Sequence, residues 1–286
     1  MIRNVRQYLG LVARGFCMGA ADIVPGVSGG TMAFILGIYN ELVHSIRAYG
    51  RPALWNALLR LDIRKVIKEG NVFFLLAVGI GMAAAVLSLS HILENLLETQ
   101  PLLLWSFFFG LVVASVHVVR RRVNNWQPVQ SVLLVVGLVM AYWIVTLVPT
   151  QTPDAPWFLV LSGAIAICAM ILPGISGSFL LVILGKYAFI LNAVNTRDIT
   201  SLAYVGVGAV CGIILFAQLL SWLLQRYHDA MITFLMGLML GSLVKIWPWK
   251  VADLNVIPSV ASDLWTGLAM MALGFVLVLV LDRCST

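Results

Sequence analysis

The chain has 286 residues, 61% of them hydrophobic and only 10% charged, with a formal net charge of +6 and a mean hydropathy of +1.00. Those values exclude a soluble globular domain and a nucleic-acid-binding module, and they define a polytopic, all-α membrane protein. The positive charge bears on topology rather than on a polyanionic partner, because cytoplasmic loops collect Lys and Arg.

The first residues, Met1 to Gln7, carry Arg3 and Arg6 but no small-residue cleavage site after a short apolar core, so no removable signal peptide is expected. A broken hydrophobic segment follows over about 8–48, containing "VPGVSGGTMAFILGIYNE" at 24–41. Arg51, Arg60, Arg64, Lys65 and Lys68 then form a basic loop before the first full-length span at 72–93. Spans at 101–119 and 129–148 come next, separated by Arg120, Arg121 and Arg122. A second broken segment occupies about 157–192, and spans are expected at 201–224, 230–247 and 264–281. Both basic loops and both termini fall inside on the positive-inside rule, with Glu98 to Gln100 and Pro149 to Pro156 outside. Trp105, Trp126, Trp143, Trp157, Trp222, Trp247 and Trp249 fall near the expected interfaces, as an aromatic belt does. Cys and His residues are scattered without ligand spacing, so no metal site is expected.

The two broken segments are copies. "LPGISGSFLLVILGKYAF" at 172–189 repeats 24–41, pairing Pro25 with Pro173, Ser28 with Ser176, Gly29 with Gly177 and Gly37 with Gly185. "FFFGLVVAS" (107–115) likewise repeats as "FLMGLMLGS" (234–242). The chain therefore divides into repeats at 1–150 and 151–286 within one membrane domain, each a broken hairpin plus three spans. Three spans per half, with a hairpin entering and leaving on one side, make the repeats inverted. Residues 157–192 would form ~50 Å of helix, too long for one span and short for two, so a re-entrant helix, break and helix is expected.

Non-helical backbone at membrane depth survives only inside protein or beside a polar cavity. Two such breaks predict a central polar site. Proline ends the incoming limb, and glycines allow close approach of a ligand. The amides that open the outgoing limb then suit an anion such as phosphate or carboxylate. The expected phosphate-binding residues are Gly26, Ser28, Gly29, Gly30 and Thr31 in the first loop and Gly174, Ser176, Gly177 and Ser178 in the second. Two blander readings stand beside this one: PG-x-SG as a packing kink, and freed carbonyls that coordinate a cation. Arg14 and Lys186 are candidates for neutralising an anionic head group, and Asp22 and Glu41 for carrying a coupling ion. No cofactor is called for; protons or sodium are the coupling candidates. The glycine-bearing faces around Gly79, Gly81, Gly206, Gly208 and Gly212 suit close packing within one chain or between copies.

At "GAADIVPGVSGGTMAFILGIYNELV" (19–43) and "LPGISGS" (172–178) the sequence resembles the polyprenyl-phosphate translocase family of PopT type, along essentially the whole chain. That resemblance implies a flippase of the bacterial inner membrane, recycling the lipid carrier undecaprenyl phosphate from the outer to the cytoplasmic leaflet for envelope polymers such as peptidoglycan. It also implies a non-enzymatic protein. Undecaprenyl-diphosphate phosphatases carry a similar signature, PG-x-SRS, but here Gly29 and Gly177 occupy the arginine position, and only Asp22 stands where that family is glutamate-rich. A transporter or channel for a small soluble anion could use the same loops. A route open sideways to lipid distinguishes a lipid carrier from it.

Overall fold

A computed structural model describes residues 3–24, 27–251, 254–258 and 261–285, and it is almost wholly helical. Helix α1 (Val5–Ile23) starts at a capping box in which Asn4 and Gln7 exchange hydrogen bonds of 2.9 Å. After the first break α2 (Gly29–Ile35) runs only seven residues. A second interruption then falls at Gly37, whose φ of +73° a side chain would oppose, before α3 (Tyr39–Ala48). The basic stretch expected as a loop folds into two short helices, α4 (Pro52–Leu59) and α5 (Ile63–Glu69). Pro52 needs no amide partner in the first turn of α4, and Asp62 accepts the Lys65 amide at 3.1 Å to cap α5.

The spans α6 (Val72–Thr99), α7 (Pro101–Arg120) and α8 (Pro128–Thr146) complete the first half. The second half repeats the order with α9 (Pro156–Ile171), α10 (Gly177–Ile183) and α11 (Tyr187–Asn195), then α12 (Ile199–Arg226) and α13 (His228–Ser242). A small antiparallel pair, β1 (Lys250–Val251) and β2 (Leu254–Asn255), precedes α14 (Ala261–Ser285). Between α10 and α11 the chain bends by 103° at Gly185, the counterpart of Gly37, where φ is +65°. Each outgoing limb is thus broken a second time, which the sequence reading did not anticipate.

Five helices, α6, α7, α8, α12 and the α14 segment, are long and apolar enough to cross a bilayer. The sixth expected span, 230–247, is shorter: α13 stops at Ser242 after 15 residues. The chain then turns, and side chains satisfy carbonyls of that turn: Asn255 Nδ2 donates to Val244 at 2.9 Å and Lys250 Nζ to Lys245 at 2.6 Å, before Pro248, which offers no amide.

Corresponding helices make corresponding contacts in the two parts of the chain. Within each part α1 packs on α6 and α9 on α12, and between the parts α7 packs on α14 and α13 on α8. The contacts are close because glycine lines them. A Cβ on Gly81 would lie 2.0 Å from the Val12 carbonyl oxygen, and one on Gly208 would lie 1.9 Å from that of Val160. Gly212 packs in the same way on Ala164, whereas Gly79 and Gly206 have nothing within 4 Å of that position. The small-residue faces therefore hold the chain together through one set of glycines, and the other set points away.

The ends of the bundle can be traced through these helices. A tight turn at Gln100 joins α6 to α7, so Asn71 and Arg120 share one end, and α8 runs from there to Thr150 at the other. Glu41 accepts from Arg3 at 2.7 Å and Asn71 at 2.9 Å, placing the mouth of the first hairpin at the Asn71 end. The Thr150 amide donates to Ile183 at 3.0 Å, placing the mouth of the second at the opposite end. Arg121 lies 3.9 Å from Asp282, so the end of α14 joins the Asn71 end. Hairpins entering from opposite ends are what an inverted repeat requires.

Candidate functional site: two interlocked breaks beside a lateral cavity

The two breaks meet inside the bundle. Ser28 Oγ donates to the Leu172 carbonyl at 3.1 Å, and the Gly174 amide donates to Thr31 Oγ1 at 3.1 Å, so two side chains of the first loop satisfy backbone groups exposed by the break in the second. Ser28 and Thr31 are buried, and Gly174 takes a φ of +87° that places it against the backbone of Leu238. Pro25 and Gly26 lie outside the described residues.

The two outgoing limbs begin differently, although their sequences are copies. At α2 the first amides are spent within the protein: Gly29 donates to Asp22 Oδ1 at 2.6 Å, Gly30 to Ser28 Oγ at 3.1 Å and Thr31 to the Ser28 carbonyl at 2.9 Å. At α10 the amides of Gly177, Ser178 and Phe179 find no acceptor among the described residues. Ser176 does not cap them; its hydroxyl pairs with that of Ser178 at 2.9 Å. For the first of these amides the cause is one residue, since the offset of 148 that pairs Pro25 with Pro173 places Met170 where the first repeat has Asp22. Gly29 packs against the Asp22 carboxyl, whereas Gly177 packs against the Met170 side chain and the Ala166 carbonyl.

Beside α10 lies a cavity of about 470 Å³. Asp22, Ser90 and Ser178 supply its polar groups, and Ile23, Val86, Phe179, Val182 and Tyr187 its apolar walls. Val86 and Tyr187 are each 46% exposed on the flank of the bundle, so the cavity opens sideways between α6 and α11. An anion there would meet hydroxyls and free amides on α10, while an attached hydrocarbon chain could leave through an apolar opening. Ser90 was not among the residues singled out from the sequence. It stands on an otherwise unremarkable apolar helix, and no local pattern marks it.

The remaining ionisable candidates lie away from the breaks. Glu41 is bound by Arg3 and Asn71 at the mouth of the first hairpin. Burial raises its carboxyl, but the hydrogen bonds from those two residues and the charges of Arg3 and Arg14 hold it below the usual carboxylate range. Arg14 therefore acts on Glu41, two helical turns or more before the first break. Lys186 is 1% exposed and donates to the Thr152 carbonyl at 2.7 Å and to Asp154 Oδ1. The rings of Phe158 and Phe189 each lie 5.6 Å from its ammonium. It neither snorkels to the interface nor reaches the cavity. Removing one partner of such a pair costs more than replacing both. Asp154→Asn should therefore destabilise the protein by about 2 kcal/mol, less than for a fully buried pair because Asp154 itself is exposed. A further Lys186→Met change should recover much of that loss. Chemical unfolding in detergent checks both expectations.

Five apolar spans, two interlocked broken hairpins and a largely apolar cavity on the flank, with a few polar groups in its wall, define a multi-pass membrane protein built on transporter lines. The chain belongs to the undecaprenyl phosphate translocase-like family, whose sequence model matches residues 18–263. It is 44% identical over 250 residues to a polyprenyl-phosphate transporter of Vibrio cholerae serotype O1, covering 87% of this chain and 81% of that protein. A polyprenyl-phosphate transporter of Staphylococcus aureus is 28% identical over 293 residues, covering 96% of each. No solved structure matches the chain.

Proposed function

We propose that the protein transports undecaprenyl phosphate across the bacterial cytoplasmic membrane, from the outer to the inner leaflet, by alternating access of its two halves around the interlocked loops. Family membership and the names of the two relatives support the substrate. The observation that carries the reading is the lateral cavity: its polar groups sit at the break while its mouth is apolar and faces lipid, the shape that a phosphate head on a prenyl tail needs. The Asn71 end, with Arg3, Arg121 and the basic α4 and α5 segment, faces the cytoplasm on the positive-inside rule.

The proposed phosphate site comprises Ser28, Gly29, Gly30, Thr31, Gly174, Ser176, Gly177 and Ser178. In the conformation described, the second loop does the binding, because Asp22 and Ser28 already occupy the amides of the first. A phosphomonoester carries about 1.5 to 2 negative charges near neutrality. Carrying each inward against the usual potential costs about 2.3 kcal/mol per 100 mV. Coupling to protons or sodium offsets that work, and Asp22, on the cavity wall, is the residue to bind them. We assign no hydrolytic step.

Leaflet-resolved transport in proteoliposomes, with released inorganic phosphate followed in the same vessel, tests the reading. Wild type should move the lipid and release no phosphate. Ser178→Asp, which puts a carboxylate on the cavity wall where the head group binds, should cut transport at least about a hundredfold, from roughly 3 kcal/mol of repulsion at about 5 Å. Ser178→Ala should cost far less. Equal transport by Ser178→Asp and wild type would refute the site, and released phosphate would refute the transporter. Bulky replacements of Gly29 or Gly177 are poorer probes. A Cβ there would lie 2.4 Å from the Asp22 carboxyl or the Ala166 carbonyl, so the hairpin packing changes before any ligand is blocked.

A further inference from the structure

The early end of α13 has a consequence for charge. Had the helix continued to 247, Lys245 would sit on a helix flank; instead the chain turns after Ser242, with the Lys245 amide donating to the Ser242 carbonyl at 2.9 Å. The turn lays the ammonium over the ring of Phe179, 4.7 Å from its centroid. Phe179 is in the first turn of α10, next to Ser178, and its ring forms part of the cavity wall. Among the described residues the Lys245 side chain makes no hydrogen bond and no ion pair, so all three of its N–H donors are unspent. The other lysine near this hairpin, Lys186, is committed to Asp154 and a carbonyl. Arg14 lies on the other hairpin, in α1 before the first break.

Resting on the transport reading above, we infer that Lys245 is the cation that receives the anionic head group at the α10 side of the cavity. An aromatic face holds an ammonium without satisfying its donors. A phosphate on the Ser178 and Phe179 amides offers a charge-assisted hydrogen bond, which is stronger, and the flexible four-carbon stem lets the ammonium swing off the ring to make it. Phe179 thus parks the charge beside the site while the cavity is empty. The ligand class is a phosphomonoester of a long-chain alcohol. The uncharged alcohol should occupy the same cavity without engaging Lys245.

Purified protein in detergent, titrated with farnesyl phosphate and with farnesol as short-chain probes, tests this separately from transport. Wild type should bind the phosphate at least about tenfold more tightly than the alcohol, the least that one charge-assisted hydrogen bond confers. Lys245→Met should lower that preference by about tenfold while keeping its affinity for farnesol, and Lys245→Arg should keep both. Three results would overturn the assignment: an undiminished preference in Lys245→Met, no preference in wild type, or loss of farnesol binding together with the preference. If the phosphate binds through Lys245 but is not moved between leaflets in vesicles, the transport reading fails and the site stands.

Discussion

Asp22→Asn should leave the first loop folded and remove the dependence of transport on a proton gradient. The asparagine oxygen can still accept the Gly29 amide, which Asp22 Oδ1 holds at 2.6 Å, so the start of α2 keeps its partner. What disappears is a negative charge on the wall of the cavity that also exposes Ser178. At about 5 Å and an effective dielectric constant near 20, that charge repels each unit of negative charge on a phosphate by roughly 3 kcal/mol, on the order of a hundredfold in affinity. Head-group binding and an ionised Asp22 are therefore mutually unfavourable, and proton uptake relieves the conflict. The asparagine variant should bind farnesyl phosphate more tightly near neutrality, with less pH dependence, and in vesicles it should equilibrate the lipid without concentrating it. Asp22→Ala should add about 1 kcal/mol of destabilisation from the lost cap. Full transport by Asp22→Asn, with the response to a pH gradient intact, would remove Asp22 from the coupling.

The second large effect is expected at Gly30. A Cβ there would lie 2.6 Å from the Ile171 carbonyl oxygen and 3.1 Å from its carbon, and both belong to backbone that cannot swing away. Gly30→Ala must push α2 off the end of α9, which strains the Ser28–Leu172 and Thr31–Gly174 hydrogen bonds that lock the two loops. Overpacking costs about 1–3 kcal/mol, and each buried polar group left unpaired about 1–3 more. A loss of about 4 kcal/mol and of nearly all transport is expected, to be read by unfolding titration in detergent and by vesicle transport. Gly79→Ala and Gly206→Ala are the matched controls, since both sites are helical and open; each should be neutral or slightly stabilising. If Gly30→Ala behaves like these two, the loops are not locked together as described.

Much of this architecture is legible along the chain because membrane burial acts on local composition. Five spans follow from hydropathy, and both breaks follow from proline and glycine at equal spacing in the two halves. The second interruptions, at Gly37 and Gly185, were present in the repeat as matched glycines, but nothing local says that a matched glycine takes a positive φ. The end of α13 at Ser242 is hidden because residues 243–247 remain largely apolar; the turn that replaces the helix is held by Lys250 and Asn255, which come from later in the chain.

Charge is where the sequence alone runs out. Proximity to the breaks in sequence points to Glu41 and Lys186 as partners of the ligand, yet both are spent at opposite mouths of the bundle, on Arg3 and Asp154. Asp22 lines the cavity, together with Phe179 of the second motif and Ser90 on α6, which no motif announces. By itself the sequence determined that the chain crosses a membrane several times and where the first break of each hairpin falls, since both follow from the cost of bare backbone or charge in hydrocarbon, and the repeated motif showed that the pattern is doubled. Only the tertiary structure decided which amides are already satisfied and which face an opening to lipid, because a hydrogen bond across 144 residues, such as that from Ser28 to Leu172, depends on packing that no local pattern encodes.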